Sequence, residues 1–174
     1  MTVSFEGFPR TLDRSALRPG RWFLAAEGLK ALLCLATDVA EGTDFVALTF
    51  AATGVEQLEF QVTTLGALPG PFSTVEDEMV FAPGAGDGRP MLAAPVKRAF
   101  RSGSLLRLRS GELGIGFAAS PGGRLIIVSL QTGARAEAFD LVFERWSLSL
   151  RRGGVETLIG CFKPLQSFAD RKRG

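Results

Sequence analysis

The chain has 174 residues, of which 46% are hydrophobic, and it carries a formal net charge of +2. This length and composition allow a sizeable core in one full domain or two small ones. Histidine is absent, which excludes imidazole-based catalysis and metal binding, and two cysteines alone cannot complete a zinc site. The sequence therefore predicts no metal and no cofactor.

The charges are sorted along the chain. Residues 1–88 contain 5 basic and 12 acidic residues, a net charge of −7, whereas residues 89–174 contain 15 basic and 6 acidic residues, a net charge of +9. Such a division is typical of halves that pair with each other, of copies that stack, or of a protein that holds an anion. The sequence leaves these three readings open.

The first half predicts an antiparallel β-meander that follows an N-terminal arm over residues 1–19. Short apolar runs separated by turns predict strands over Arg21–Ala26, Leu29–Thr37, Thr43–Ala51 and Gln57–Thr63. In the last of these, Leu58, Phe60 and Val62 alternate with polar residues, which indicates one buried and one solvent-exposed face. We call residues 20–63 the acidic β-half.

The middle of the chain has a different composition. Residues 64–95 hold five of the nine prolines, a turn-rich run over Pro83–Pro90 and the acidic run Glu76–Glu78. Such a stretch predicts a long loop or linker, and the charge changes sign within it. It is the candidate domain boundary.

Strands resume in the basic β-half, residues 96–165, before a basic C-terminal tail over residues 166–174. The predicted strands are Ser104–Arg109, Glu112–Ala119, Arg124–Gln131, Ala138–Arg151 and, after a Gly153–Gly154 turn, Val155–Phe162. In the long strand Ala138–Arg151 the parity of the apolar residues shifts near Glu144–Arg145. That shift predicts a β-bulge there.

Two hairpin segments resemble each other. Gly20 and Gly28 bracket one apolar strand, Gly103 and Gly111 bracket another, and both segments continue into further apolar strands. Hairpins of this length commonly look alike, or the chain holds a duplicated meander. The predicted fold is all-β, an antiparallel β-barrel or sandwich built from two similar β-meander halves with at most one or two short helices.

The cysteines and the N-terminus indicate the compartment. Cys34 and Cys161 each lie in an apolar run, which predicts two buried free thiols. The first residues include early acids and a proline and have no signal-peptide pattern, and no apolar run is long enough to span a bilayer. We therefore expect a cytoplasmic protein with no membrane span.

Basic residues collect around the strand Ser104–Arg109 and form a candidate anion site. Leu106 and Leu108 point one way, so Arg107 and Arg109 share the opposite, exposed face. The candidate ligand-binding residues are Lys97, Arg98, Arg101, Arg107 and Arg109. Five cations could converge on a phosphate or carboxylate, or they could form an ordinary solvated strand face. Nucleic acid is disfavoured because no aromatic residues alternate with the arginines.

The same region resembles a known family. The stretch Lys97–Arg101 precedes Ala118–Gly123, and this order is similar to the PilZ family, small β-barrels that bind cyclic dinucleotides through R-x-x-x-R followed by D/N-x-S-x-x-G. Ser120 and the final glycine fit the pattern, whereas Lys97 and Ala118 depart from it. The resemblance covers fewer than 30 residues and implies a nucleotide-like anionic ligand.

These observations predict a non-enzymatic, β-structured binding or assembly module of a bacterial-type cytoplasmic protein. It would associate through its oppositely charged halves, with a protein partner or with further copies of itself. One alternative is a sensor of a small anionic, nucleotide-like molecule. A second is a carboxylate-dependent enzyme using the acidic run Glu76–Glu78, although no catalytic residue is assigned.

Overall fold

The computed structural model describes residues 11–27, 30–54, 56–84, 89–90, 101–118 and 124–163. These ranges contain two β-sheets and two short 3-10 turns, at Arg14–Ala16 and Leu65–Ala67. No helix within them has the length and hydropathy needed to cross a membrane. The predicted all-β class is confirmed.

The larger sheet, which we call sheet A, has nine strands. Their spatial order is β1 (Thr11–Leu12), β6 (Phe72–Thr74), β2 (Trp22–Glu27), β3 (Lys30–Glu41), β4 (Asp44–Thr53), β5 (Gln57–Thr64), β15 (Val155–Phe162), β14 (Trp146–Arg152) and β7 (Glu78–Pro83). The described neighbours pair antiparallel except β5 and β15, which run parallel and meet where Gln57 lies opposite Cys161.

The smaller sheet, sheet B, has six strands. Their order is β12 (Arg135–Ala136), β11 (Leu125–Ser129), β10 (Leu113–Ala118), β9 (Ser104–Leu108), β13 (Phe139–Phe143) and β8 (Arg89–Pro90). Each predicted meander lies in the middle of one sheet: β2, β3 and β4 in sheet A, and β9, β10 and β11 in sheet B. The two predicted meanders are therefore observed, and they lie in two different sheets.

Sheet membership does not follow the two predicted halves. β14 and β15 come from the basic β-half, yet they join sheet A beside strands of the acidic β-half. The segment 64–95, expected as a loop or linker, contributes β6 and β7 to the same sheet. The many prolines and glycines of this segment predict a loop, although short strands lie between them. In β7, the side chains of Met79 and Phe81 pack against the hydrophobic core. The division of the chain into domains stays a prediction.

The long strand expected over Ala138–Arg151 is wrong, because the chain changes sheets within it. β13 ends at Phe143 in sheet B, and β14 begins at Trp146 in sheet A. The parity shift near Glu144–Arg145 therefore marks a bend between sheets rather than a bulge within one strand. Two bulges lie on either side of this bend, one between Phe139 and Leu141 and the other between Leu148 and Ser149.

The largest hydrophobic cluster of the described residues, which we call the central core, lies between the sheets. It combines buried side chains of sheet A, such as Leu48 and Phe50, with buried side chains of sheet B, such as Ile115 and Phe117. Trp146 is almost fully buried among them, and its ring packs edge-on against the ring of Phe50. Each such side chain contributes about 1.5–3 kcal/mol when buried. This interior accounts for the Phe-rich composition.

Sheet A curls until its two ends approach each other. β6 and β7 are consecutive in sequence but lie near opposite ends of the sheet, and only residues 75–77 connect them. Four Cα steps from Thr74 to Glu78 span at most about 14 Å. Accordingly the ring of Trp22 on β2 lies 5.8 Å from that of Phe81 on β7. The sheets do not close, so the fold is the sandwich and not the barrel of the two predicted forms.

Strand β3 is buried on both faces. Leu33 and Leu35 face the central core, whereas Leu32 and Cys34 face a second apolar cluster on the outside of sheet A. Burial raises the pKa of the Cys34 thiol to about 12, because desolvation disfavours the thiolate. The predicted buried free thiol is confirmed for Cys34, whereas Cys161 is a free thiol that is only half-buried.

Candidate functional site

The structure separates the arginines of the predicted anion site. Arg101 lies before β9 and Arg109 follows it, and both are exposed. β9 spans four residue steps, roughly 13 Å, so these two side chains start from opposite ends of a strand. Lys97 and Arg98 lie outside the described residues. Convergence of all five cations on one ligand stays a prediction.

Arg107 already has an anionic partner. Its Nε and Nη2 atoms donate to the two carboxylate oxygens of Asp140, at 2.9 and 2.7 Å. This bidentate pair holds the pKa of the Asp140 carboxyl below its ordinary value and raises the pKa of Arg107. Sequence reasoning missed Asp140, because it is the extra residue of the bulge between Phe139 and Leu141.

The expected alternation along β9 is observed. Leu106 and Leu108 are buried in an apolar cluster on the outer face of sheet B, while Arg107 is exposed. The PilZ-like positions are described only in part. Arg101 lies in the turn before β9, and the Ala118 N–H donates to Ser102 Oγ at 3.1 Å. The other matched positions, including Ser120, fall outside the described residues.

Opposite charges of the two halves meet within the molecule. Arg151 on β14 lies 3.2 Å from Glu78 on β7 and 3.2 Å from Glu156 on β15. Next to it, Arg152 Nη2 donates to Asp77 Oδ2 at 3.1 Å. Surface pairs of this kind contribute little to stability. They do neutralise much of the acidic run with arginines of the basic half.

Two carboxylates of the acidic run, those of Asp77 and Glu78, are each paired with an arginine. Asp77 and Glu78 line one groove between β7 and β2, of about 810 Å³. Their partners, Arg152 and Arg151, are successive residues of β14. Within the described ranges, no group of three acidic or cysteine side chains could hold a metal ion.

One strand combines exposed apolar side chains with an exposed backbone edge. Among the described residues, the exposed large hydrophobic side chains are Val155, Leu158 and Phe45, which are 68%, 43% and 49% exposed. Val155 and Leu158 both lie in the first half of β15, where residues 155–158 are all exposed. Phe45 lies on β4, an internal strand of sheet A.

The first half of β15 has a neighbouring strand on one side only. Residues 155–158 pair with β14 through a hairpin whose turn, Gly153–Gly154, has positive φ at both glycines. On the other side, β5 reaches β15 only at Cys161, whose N–H donates to the carbonyl of Glu56 at 2.9 Å. Within the part of the chain that the structure describes, no strand pairs with the outer edge of Val155–Leu158. We call these four residues the β15 edge.

A cavity of about 540 Å³ lies where β5 and β15 part. Its lining residues are Thr53, Gln57, Leu58, Glu59, Phe60, Arg101, Ser102, Cys161, Phe162 and Lys163. Arg101 is the member of the predicted anion site that reaches it. The sequence did not point to Lys163 or to the facing rings, because β5 and β15 are distant in sequence and their parallel contact carries no local signal.

The chain was compared with family models, with curated proteins and with solved structures, and none of the three comparisons finds a match.

Proposed function

We propose that this protein is a non-enzymatic assembly module whose copies associate by pairing the β15 edge of one molecule with that of another. The observation that carries the proposal is the coincidence of exposed Val155 and Leu158 with an edge that no described strand covers. An open edge presents unpaired N–H and C=O groups to a further strand. Two apolar side chains beside that edge favour association over solvation.

The local charges suit a second copy as the partner. Arg151 and Arg152 are already paired with Glu78, Asp77 and Glu156, so this end of sheet A is close to neutral. Like charges that lie directly opposite each other destabilise a pair of strands. Two identical edges that are nearly neutral can therefore approach each other without strong repulsion.

Self-pairing also has a suitable symmetry. Two antiparallel β15 strands related by a two-fold axis at Thr157 would bring the β15 edges of the two copies alongside each other, with Leu158 of each copy opposite Glu156 of the other. The Thr157 residues of the two copies would then lie opposite each other, and a Thr–Thr pair contributes roughly 0.2–1 kcal/mol. The same surface serves both molecules, so the assembly closes as a dimer.

The proposed contact between copies differs from the one expected from the charge division, because it uses the β15 edge rather than the oppositely charged halves. The acidic run Glu76–Glu78 provides part of the negative charge, and two of its three carboxylates already pair with arginines of the same molecule. Those groups are less available to a partner. An edge-paired dimer would withstand high salt, whereas an assembly held by opposite charges would dissociate, because salt screens exposed charges.

Light scattering over a range of protein concentrations tests the proposal. The wild-type chain is compared with Val155→Lys/Leu158→Lys, in which charges flank the edge, and with Phe45→Lys, which charges an exposed apolar site on an internal strand. We expect a dimer at both low and high salt for wild type and Phe45→Lys, and a monomer for the double variant. A wild-type monomer throughout, or a double variant that still dimerises, contradicts the proposal.

A further inference from the structure

We infer that the cavity between β5 and β15, which we call the junction cavity, binds a small organic anion with a flat apolar body, of the class of aromatic carboxylates. This inference is independent of the self-association proposed above. It concerns the second half of β15, where the strand is covered, and it requires only one molecule.

The junction cavity arises from how two strands end. β5 and β15 are joined at the pair Gln57–Cys161, after which β15 stops at Phe162 while β5 continues to Thr64. Gly160 permits the close approach, since a β-carbon there would lie 3.0 Å from the carbonyl oxygen of Gln57. Beyond this point no described strand fills the place beside β5, and the space remains as the cavity.

The apolar wall of the junction cavity is rigidly held. Phe60 and Phe162 both pack against Gly103, where an added β-carbon would lie 2.6 Å from the ring of Phe162 and 3.0 Å from that of Phe60. The ring of Phe162 stacks on Trp146 at 5.1 Å, and Trp146 Nε1 donates to the carbonyl of Gly103 at 2.8 Å. A wall of aromatic rings fixed in this way suits a flat apolar group.

Among the described residues that line the cavity, the basic side chains outnumber the acidic ones. Arg101 and Lys163 supply two cations, and Glu59 supplies one carboxylate, which accepts a hydrogen bond from Gln61 Nε2 at 2.6 Å. The side chain of Ser102 adds a hydroxyl group whose oxygen already accepts from the Ala118 N–H. An anion placed between the two cations gains charge-assisted hydrogen bonds, which are stronger than neutral ones.

Size and lining together define the ligand class. A volume of about 540 Å³ lies within the range of small-molecule sites, about 300–1,000 Å³. Aromatic rings on one side and cations on the other match a molecule with an apolar body and one anionic group. A neutral molecule of the same shape would lack the charged contacts, and a larger polyanion would need more cations than the two that the described lining residues provide.

Calorimetric titration with 2-naphthoate, and with 2-naphthamide as a neutral analogue of the same shape, tests this assignment. We expect the carboxylate to bind more tightly than the amide. Arg101→Gln or Lys163→Gln should weaken naphthoate binding roughly tenfold, the effect of losing about 1.4 kcal/mol of charge-assisted hydrogen bonding. Arg109→Gln, which removes an exposed cation at the other end of β9, should leave binding unchanged.

Alkylation of Cys161 by iodoacetamide gives a second readout that does not depend on calorimetry. Cys161 lines the junction cavity and is half-buried, whereas Cys34 is fully buried and serves as an internal reference. Bound naphthoate should slow the alkylation of Cys161. Equal binding of the acid and the amide, affinity unchanged in both cavity variants, or absence of protection at Cys161 would overturn the inference.

Discussion

The two halves of β15 have opposite surroundings within one strand. Val155–Leu158 is exposed on both faces and has a described neighbour only in β14, whereas Phe162 is buried between the sheets and Cys161 is bonded to the β4–β5 turn. Both halves contain large apolar residues, Val155 and Leu158 in the first and Ile159 and Phe162 in the second. Apolar residues in the sequence are therefore enough to predict the strand. Which part of the strand is buried in the core, and which part is available to a partner, depends on the neighbouring strands of the sheet.

We expect the largest loss of stability from a substitution in the second, covered half of β15. Phe162→Ala removes a ring that stacks on Trp146 and packs against Gly103, and such a deletion typically costs about 3–5 kcal/mol. The matched change Phe45→Ala removes an exposed ring and should cost below about 1 kcal/mol. Urea denaturation measures both free energies of unfolding. Similar losses in the two variants would abolish the distinction between core and exposed rings.

A second effect concerns the backbone beneath the same ring. Gly103 and Gly111 have nearly equal positive φ values, 90° and 89°, but only at Gly103 would a β-carbon meet neighbouring atoms. Each substitution by Ala strains the backbone by about 1–3 kcal/mol. Gly103→Ala should lose more stability than Gly111→Ala, because the rings of Phe162 and Phe60 must also shift. Thermal unfolding of the two variants checks the order, and equal losses would contradict the packing described for the cavity wall.

The two cysteines extend the comparison to pH. The native pKa of Cys34 is raised to about 12 by burial, above the value of about 8.5 for an exposed thiol. The unfolded chain therefore ionises first, and stability present below about pH 8.5 is lost as the pH rises toward 12, at up to about 1.4 kcal/mol per pH unit. The chain has no tyrosine or histidine to obscure this slope.

Chemical denaturation between pH 8 and pH 11 measures the slope, with Cys34→Ala and Cys161→Ala as the paired variants. We expect Cys34→Ala to reduce the pH dependence strongly. Cys161→Ala should retain it, because this variant keeps the buried thiol of Cys34. A slope that persists in Cys34→Ala shows that another group controls alkaline stability.

We expect the smallest change in the free energy of unfolding from substitutions in the first, exposed half of β15. Val155→Lys and Leu158→Lys change side chains that lie mostly in solvent, and surface changes of this kind usually stay within about 0.5 kcal/mol. Denaturation at concentrations where the protein is monomeric measures it. A loss of several kcal/mol would mean that this edge is part of the core, and the comparison of the two halves would fail.

The sequence predicted the local part of the fold well. Glycine turns and short apolar runs located both meanders, and Leu106 and Leu108 alternate with exposed Arg107 as expected. It could not predict which sheet each strand joins, because that depends on contacts between distant residues. The parity shift near Glu144 was real, but a bend between sheets and a bulge within one sheet leave the same pattern in the sequence.

The candidate site was less predictable. The basic residues of the sequence predicted arginines that converge near β9. In the structure Arg107 pairs with Asp140, which is the extra residue of a bulge that no local sequence pattern predicts. Arg101 instead lines a cavity with Lys163, which is 62 positions further along the chain. The β15 edge could not be predicted from the sequence either, because it also depends on contacts between distant residues. Its strand was predicted, but an edge exists only once the strand order of the whole sheet is known.

Hydrogen–deuterium exchange of the Val155–Leu158 amides, followed as protein concentration is raised, is the decisive test of self-pairing at the β15 edge. Self-pairing of the β15 edge predicts that the outward-pointing amides of this segment exchange more slowly as molecules associate, while amides of β3, paired on both sides, stay unchanged. Exchange at residues 155–158 that is independent of concentration, while light scattering reports association, would contradict the account.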